Sequence, residues 1–278
     1  MFKELYWKRA IKITKETKEK GSLTPLITKD ITENFYNKKD FIIRELDITQ
    51  FDRKKIIGPS INPFKPWDKD LEIGIIGKTH QLILNKYPVE SGHLLLITRE
   101  WMPQDGWLNI NDWSAIKHVN KDTSGLWFFN SGPLAGASQP HRHIQLLRRK
   151  HNQLKCPREE WFIRQRNYEN QKDLLTANII CKDFSFNNSE NNLLNIYLEL
   201  AERIGLGCPS IDKKPKYPYN LIITNNWIAI IKRSKDHILG FSINALGFAG
   251  YILTTNKTNI KYLSDYGPEK LLENFIDN

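Results

Sequence analysis

The chain has 278 residues, 40 % of them apolar and 26 % charged, a balance that suits a globular protein with a sizeable core. No apolar run approaches the roughly 18 residues of a membrane span, and the charged opening MFKELYWKRAIKITKETKEKG has no signal-peptide core, so a cytoplasmic protein with no membrane partner is expected. The formal charge of +10 favours polyanionic ligands, although joint enrichment in Lys, Asn and Ile accounts for it equally well; no basic cluster interleaves with aromatics, which argues against nucleic acid.

In chain order, residues 2–20 carry an imperfect helical period closed by Gly21. The runs DFIIREL (40–46) and EIGIIG (72–77) are β-rich, and the proline-bearing IIGPSINPFKPWDKD between them reads as an irregular connector. HQLILNKYPV and GHLLLITREW predict neighbouring strands joined by a turn. Residues 106–124 suit a helix capped by Asn111 or Asp112, followed by a strand at GLWFFNSG. PREEWFIRQRN has no clear period, whereas 190–205 predicts an amphipathic helix with a glycine stop. Two further strands, YNLIITNN and WIAIIKRS, precede INALGFAGYILTTN, read as a helix with a small-residue packing face. Irregular alternation of strands and helices favours α+β over a doubly wound parallel sheet. Cys156, Cys181 and Cys208 are widely separated and odd in number, against a disulfide framework or a four-cysteine zinc site.

The stretch FFNSGPLAGASQPHRHIQLL (128–147) concentrates the chemistry. On a strand, His141, His143 and Gln145 share one face while Arg142, Ile144 and Leu146 take the other. A histidine pair at this spacing fits three roles: metal ligation, a satisfied structural pair, or nucleophilic attack on phosphorus by a neutral imidazole whose second nitrogen is held by an acceptor. GPLAGASQ, directly upstream, supplies lightly shielded backbone N–H groups, the Ser138 hydroxyl and the Gln139 amide, which suits an oxyanion or phosphate. Two histidines fall short of a zinc site, and the loop favours the third role.

SQPHRHIQLL resembles the His-x-His-x-Gln signature of the transferase branch of the histidine-triad superfamily, and ILNKYPVESGHLLLITRE is similar to its upstream strand pair. Together with NPFKPWD and INALGFAGYIL, in order and spacing over residues 1–256, the chain resembles the diadenosine tetraphosphate phosphorylases, also called ATP adenylyltransferases. The resemblance implies an α+β fold built on a mostly antiparallel histidine-triad-like sheet flanked by helices, with C-terminal strands extending it. It implies a catalytic region over 1–190 and a region over 191–278 packed on it that completes the nucleotide site. The implied reaction is reversible: phosphate splits diadenosine tetraphosphate into ATP and ADP through an adenylylated His143.

On the same resemblance His141 supports the phosphate site, Gln145 contacts the α-phosphate and Ser138 assists catalysis. Gln145 stands where the hydrolytic branch has a third histidine, and an amide cannot relay a proton as an imidazole does, which fits transfer to phosphate over water. Asn85 and Lys86 match the ribose contact, Asn130 opens the phosphate-binding stretch, and Gly136, Ala137, Ser138 and Gln139 form its core. Lys54, flanked by Arg53 and Lys55, resembles a polyphosphate-binding lysine, and His93 a support for the tautomer of the catalytic ring. Asn244, Ala245, Leu246, Tyr251 and Thr255 fall where the family contacts nucleotide. Thr255 replaces a basic residue, with Lys257 or Lys232 as substitutes. A divalent cation, Mg²⁺, is expected to be held mainly by substrate phosphates. A hydrolase, a uridylyltransferase-like enzyme and a non-catalytic nucleotide sensor are the alternatives.

Overall fold

The structure, a computed structural model, describes residues 3–35, 39–47, 62, 64–148, 155–166 and 173–276. It opens with α1 (Leu5–Lys20), whose chain reverses at Gly21 with φ 77°, a backbone conformation that favours glycine. β1 (Thr28–Asp30) and β2 (Ile42–Leu46) follow. Next come β3 (Glu72–Ile76), β4 (His80–Leu84), β5 (Leu94–Thr98), α2 (Ile110–Asp122), β6 (Leu126–Asn130) and β7 (His143–Leu147).

Then α3 (Glu159–Gln165), α4 (Leu174–Ala177), β8 (Ile179–Asp183), α5 (Glu190–Arg203), β9 (Tyr219–Ile223) and β10 (Trp227–Lys232) lead to a two-residue ladder, β11 (His237–Ile238) with β12 (Phe241–Ser242). The chain continues through α6 (Ala245–Phe248), β13 (Tyr251–Thr254) and α7 (Ile260–Glu273).

Eight strands form one antiparallel sheet in the order β3-β4-β5-β7-β6-β9-β10-β8. The α+β expectation therefore holds, and β9 and β10 extend the sheet that carries the histidine motif. Central strands such as LWFFN and LLLIT are buried along their whole length because helices cover both sides. Trp127 and Phe129 of β6 pack with Trp113, Ile116 and Val119 of α2 and Leu193, Tyr197 and Leu200 of α5. Leu126 and Phe128, alternating to the other face, pack with Phe162 of α3, Phe248 of α6 and Leu271 of α7. A three-stranded sheet, β1-β2-β13, in which β2 and β13 are parallel, stands beside the second face.

Two local expectations are corrected. The cap of α2 is Asn109, whose side chain accepts from the N–H groups of Asn111 and Asp112, while the Asp112 carboxylate returns the contact to the Asn109 N–H at 2.7 Å; this reciprocal box sets the helix start two residues early. Residues 243–256 are not one helix. After α6 the chain turns through Gly250, with φ 103°, where a Cβ would lie 2.5 Å from the Asp40 carbonyl oxygen, and then becomes a strand beside β2. Finally, α7 was not anticipated, since Gly267, at φ 80°, and Pro268 interrupt its period.

Candidate active site

His143 begins β7, opposite Ile97, and is 4 % exposed. Its Nδ1 lies 2.8 Å from the carbonyl oxygen of His141. A carbonyl can only accept, so Nδ1 carries the proton and the lone pair resides on Nε2; among the described residues no hydrogen-bond partner occupies Nε2. Burial pushes the ring's pKa down to about 4, against a smaller opposing effect of the His141 carbonyl. The imidazole is thus neutral near pH 7, with one nitrogen fixed and the other nucleophilic.

His141 is held differently. Its Nδ1 is 2.8 Å from Asn62 Oδ1, and its Nε2 is 2.8 Å from the Thr98 carbonyl oxygen and 2.9 Å from the Thr98 hydroxyl. With the proton on Nδ1, the ring donates to Asn62 Oδ1 and its Nε2 accepts from the Thr98 hydroxyl, so both nitrogens are engaged and this residue braces and does not attack. Phe64 packs against both rings, with centroids 5.7 Å from His141 and 5.4 Å from His143, which places them on one side as the alternation predicts. Arg142 points oppositely, donating to Asp112 at 2.9 Å and to the Pro103 carbonyl.

Two residues along β7, about 7 Å away by strand rise, Gln145 enters a cavity of about 350 Å³. Asn85, His93, Asn130, Gly136, Ser138, Asn244, Leu246 and Tyr251 also line it, so most of the expected binding residues converge. Its walls combine apolar Leu26, Phe128, Leu147 and Ile252 with the amides of Asn85, Asn130, Gln145 and Asn244. The Arg44 guanidinium meets Glu90 at 2.5 Å on the same lining. The Asn85 amide donates to His93 Nδ1 at 3.2 Å. His93 is held near a pKa of 4, chiefly by burial; its Nε2 finds no partner at hydrogen-bond distance among the described residues, although Gln145 is a near neighbour.

The loop departs from the expectation in one respect. The N–H of Gly136 donates to the Pro133 carbonyl at 2.7 Å and that of Ala137 to the Gly132 carbonyl at 3.0 Å. Those two donors close the loop on itself and are spent there, whereas the N–H groups of Ser138 and Gln139 have no hydrogen-bond partner among the described residues. Gly136 has φ 85°, and a Cβ there would lie 2.7 Å from the Asn244 Cβ and 3.0 Å from the Ile243 carbonyl oxygen. A bare residue therefore lets the loop press against the C-terminal segment.

Of the other expected residues, Ala245 acts through its backbone, donating to Asn130 Oδ1 at 3.0 Å. Lys86, Ala137 and Gln139 stand outside the cavity lining. Thr255 is engaged in its own turn, its N–H on the Thr258 hydroxyl at 2.8 Å, and Lys232 lies over the Tyr217 ring; neither is a cavity contact. Lys54, Arg53 and Lys55 lie outside the described residues.

Sequence reasoning overlooked a buried scaffold. Asn130 Oδ1 also accepts from the Asn220 amide at 2.8 Å, and Asn220 Oδ1 accepts from Arg233. Arg233 is fully buried, and its five N–H groups meet five acceptors: Asn220 Oδ1 and the carbonyls of Ala135, Lys235, Ile243 and Phe275. Burial lowers its pKa to about 9, still leaving a cation at neutral pH. Its only sequence sign was a position one residue past β10.

Among the described residues no three His, Cys, Asp or Glu side chains converge as metal ligands, and the cavity carboxylate, Glu90, already meets Arg44. These residues do not form a protein cage for a divalent cation.

Residues 1–163 match the family model of the Ap4A phosphorylase N-terminal domain, and residues 159–276 that of the ATP adenylyltransferase C-terminal domain. Two curated relatives come from Saccharomyces cerevisiae: Protein APA1, 29 % identical over 206 residues (66 % of this chain), and Diadenosine 5',5'''-P1,P4-tetraphosphate phosphorylase 2, 26 % identical over 212 residues (67 % of this chain). The matches span 64 % and 65 % of those relatives' lengths, just under two thirds. The crystal structure of yeast Ap4A phosphorylase Apa2 in complex with Ap4A superposes with a TM-score of 0.73 at 20 % identity, covering 99 % of this chain and 97 % of that one. The likeness to Apa2 is one of fold. With the first family model covering more than half of its length, this chain belongs to the Ap4A phosphorylase family.

Proposed function

We propose that this protein is a nucleotidyltransferase that catalyses the reversible phosphorolysis of diadenosine tetraphosphate to ATP and ADP. The observation that carries this reading is the tautomer of His143: Nδ1–H is tied to the His141 carbonyl at 2.8 Å, which leaves the lone pair on Nε2 without a hydrogen-bond partner among the described residues. Nε2 attacks the α-phosphorus, a P–N bond forms, and the bond to the bridging oxygen breaks with its electrons leaving on ATP. The resulting cationic ring keeps its Nδ1–H against the His141 carbonyl, which stabilises the charge. Phosphate then attacks the same phosphorus, the P–N bond returns its electrons to Nε2, and ADP departs.

In this reading the apolar cavity takes the nucleoside of the transferred AMP, with Asn85 toward the ribose and Gln145, Asn130 and Ser138 toward the α-phosphate. The family membership, and the names of the yeast relatives, support the substrate class. A divalent cation such as Mg²⁺ would screen the polyphosphate charge from the substrate oxygens, since the described side chains do not form a cage for it.

Incubation with diadenosine tetraphosphate, with and without phosphate, tests the reading. ATP and ADP should form in repeated turnovers only with phosphate; without it, an acid-labile adenylyl-protein adduct should accumulate with release of one equivalent of ATP per enzyme. His143→Ala should remove the adduct and lower turnover by roughly 10³-fold or more. ATP and AMP released at the same rate in the absence of phosphate would identify a hydrolase instead.

A further inference from the structure

β6 and β7 pair antiparallel at Leu126 with Leu147, Trp127 with Leu146 and Phe128 with Gln145. Continuing that register sets Asn130 opposite His143, yet the ladder stops short. The side chain of Gln104, from the loop between β5 and α2, occupies the gap. Its Oε1 accepts from the His143 N–H at 2.8 Å, while its Nε2 donates to the Asn130 carbonyl at 2.8 Å and to the His143 carbonyl at 3.1 Å. One carboxamide thus stands in for a missing peptide unit, with its oxygen and both of its N–H groups engaged.

Gln104 is itself well anchored. It is 2 % exposed, its backbone N–H donates to the Pro140 carbonyl at 2.9 Å, and Pro103 beside it bridges His141. Directly paired strands lie about 4.8 Å apart, and an inserted amide holds the two chain ends wider. The residues held apart are the nucleophile and the asparagine that opens the loop.

We propose that Gln104 is a positioning residue for adenylyl transfer: it fixes the backbone of His143 and its separation from Asn130, so that Nε2 meets the α-phosphorus in line. The proposal rests on the adenylyl-histidine reading above. Its consequence is selective. Gln104 lies outside the nucleotide cavity, so losing it should misplace the attacking atom while leaving nucleotide affinity in place, and small misplacements of reacting groups are costly in rate.

Two variants of the full chain test it. Gln104→Met keeps the length and removes all three bonds; Gln104→Glu keeps the acceptor for the His143 N–H and loses both donors. AMP affinity is measured by calorimetry, and adduct formation from diadenosine tetraphosphate in a single turnover without phosphate. Both variants should bind AMP within about threefold of the unaltered protein, with the adduct forming at least about tenfold more slowly in Gln104→Met. Partial recovery in Gln104→Glu would tie the effect to the His143 amide. An adduct rate in Gln104→Met within about twofold of the unaltered protein, or a loss of AMP affinity that matches the loss of rate, would overturn the proposal. Absence of an adduct in the unaltered protein would instead remove the adenylyl-histidine reading.

Discussion

The carbonyl oxygen of His141 accepts from Nδ1 of His143 at 2.8 Å, so one histidine sets the tautomer of the other through its backbone, not its ring. The ring of His141 is meanwhile clamped between Asn62 and Thr98. A change confined to the His141 side chain leaves the carbonyl present but loosens the segment that carries it.

The low pKa of His143 predicts an acid limb of kcat/KM near pH 4, not near the ordinary imidazole value of 6.5. Folding lowers the proton affinity of both His93 and His143, so between about pH 6.5 and pH 4 the unfolded chain binds more protons. Stability from this source is complete above the unfolded value and declines as pH falls through that window, by about 3 kcal/mol for each ring. Denaturant titrations at pH 7 and pH 4.5 measure the slope. Equal stability at the two values would contradict the buried, neutral state of these rings.

Gln145 lines the cavity two residues from His143. Gln145→His should raise adduct breakdown by water relative to phosphate, because an imidazole can take up the proton of an attacking water. The ratio of AMP to ADP, measured at fixed phosphate, should rise roughly tenfold. An unchanged ratio would show that partition between acceptors is decided elsewhere.

Gly136→Ala should cost about 1–3 kcal/mol through its positive φ and the clash with Asn244. The same displacement separates the loop from the C-terminal wall, so AMP affinity should fall with stability. Thermal melts with and without AMP measure both, and a variant that melts and binds as the unaltered protein does would exclude close loop packing.

Arg233→Met takes the donor from the Lys235 and Ile243 carbonyls and from Asn220 Oδ1, while the Ala135 and Phe275 carbonyls keep the Asn220 amide and the Ser234 N–H. Unmet buried acceptors are expensive, and a loss of about 3 kcal/mol or more is expected. Arg233→Lys should rescue little, since three donors on one nitrogen cannot span five acceptors. Urea denaturation of both variants checks this, and a lysine variant of native stability would refute the geometry.

The central strands were legible because LLLIT, LWFFN and YNLII are apolar runs bounded by turn residues, and the face shared by the histidines followed from alternation alone. The contiguous motif was readable for the same reason, its partners being neighbours in sequence. Gln104, Asn220 and Arg233 were not, because each acts on residues 13 to 98 positions away and nothing in WMPQDGW marks a buried amide. The helical reading of 243–256 failed where Gly250 permits a turn and β2 offers a free edge, a tertiary choice that local propensity cannot contain. The anion loop was identified, but which of its N–H groups close the loop on itself depends on carbonyl directions set by Gly132 and Gly136.

Arg233 also has a bearing on how the protein comes into being. Its guanidinium joins the Ala135 carbonyl to those of Ile243 and Phe275, and β6 lies between β7 and the much later β9. A growing chain on the ribosome can pair β4, β5 and β7 early, whereas the loop that would receive phosphate acquires its brace only after about residue 275 has emerged. Nascent chains therefore pass through nearly half of their synthesis with the histidine motif translated and the machinery around it unassembled. Ligands that require the finished loop should accelerate only the last stage of folding.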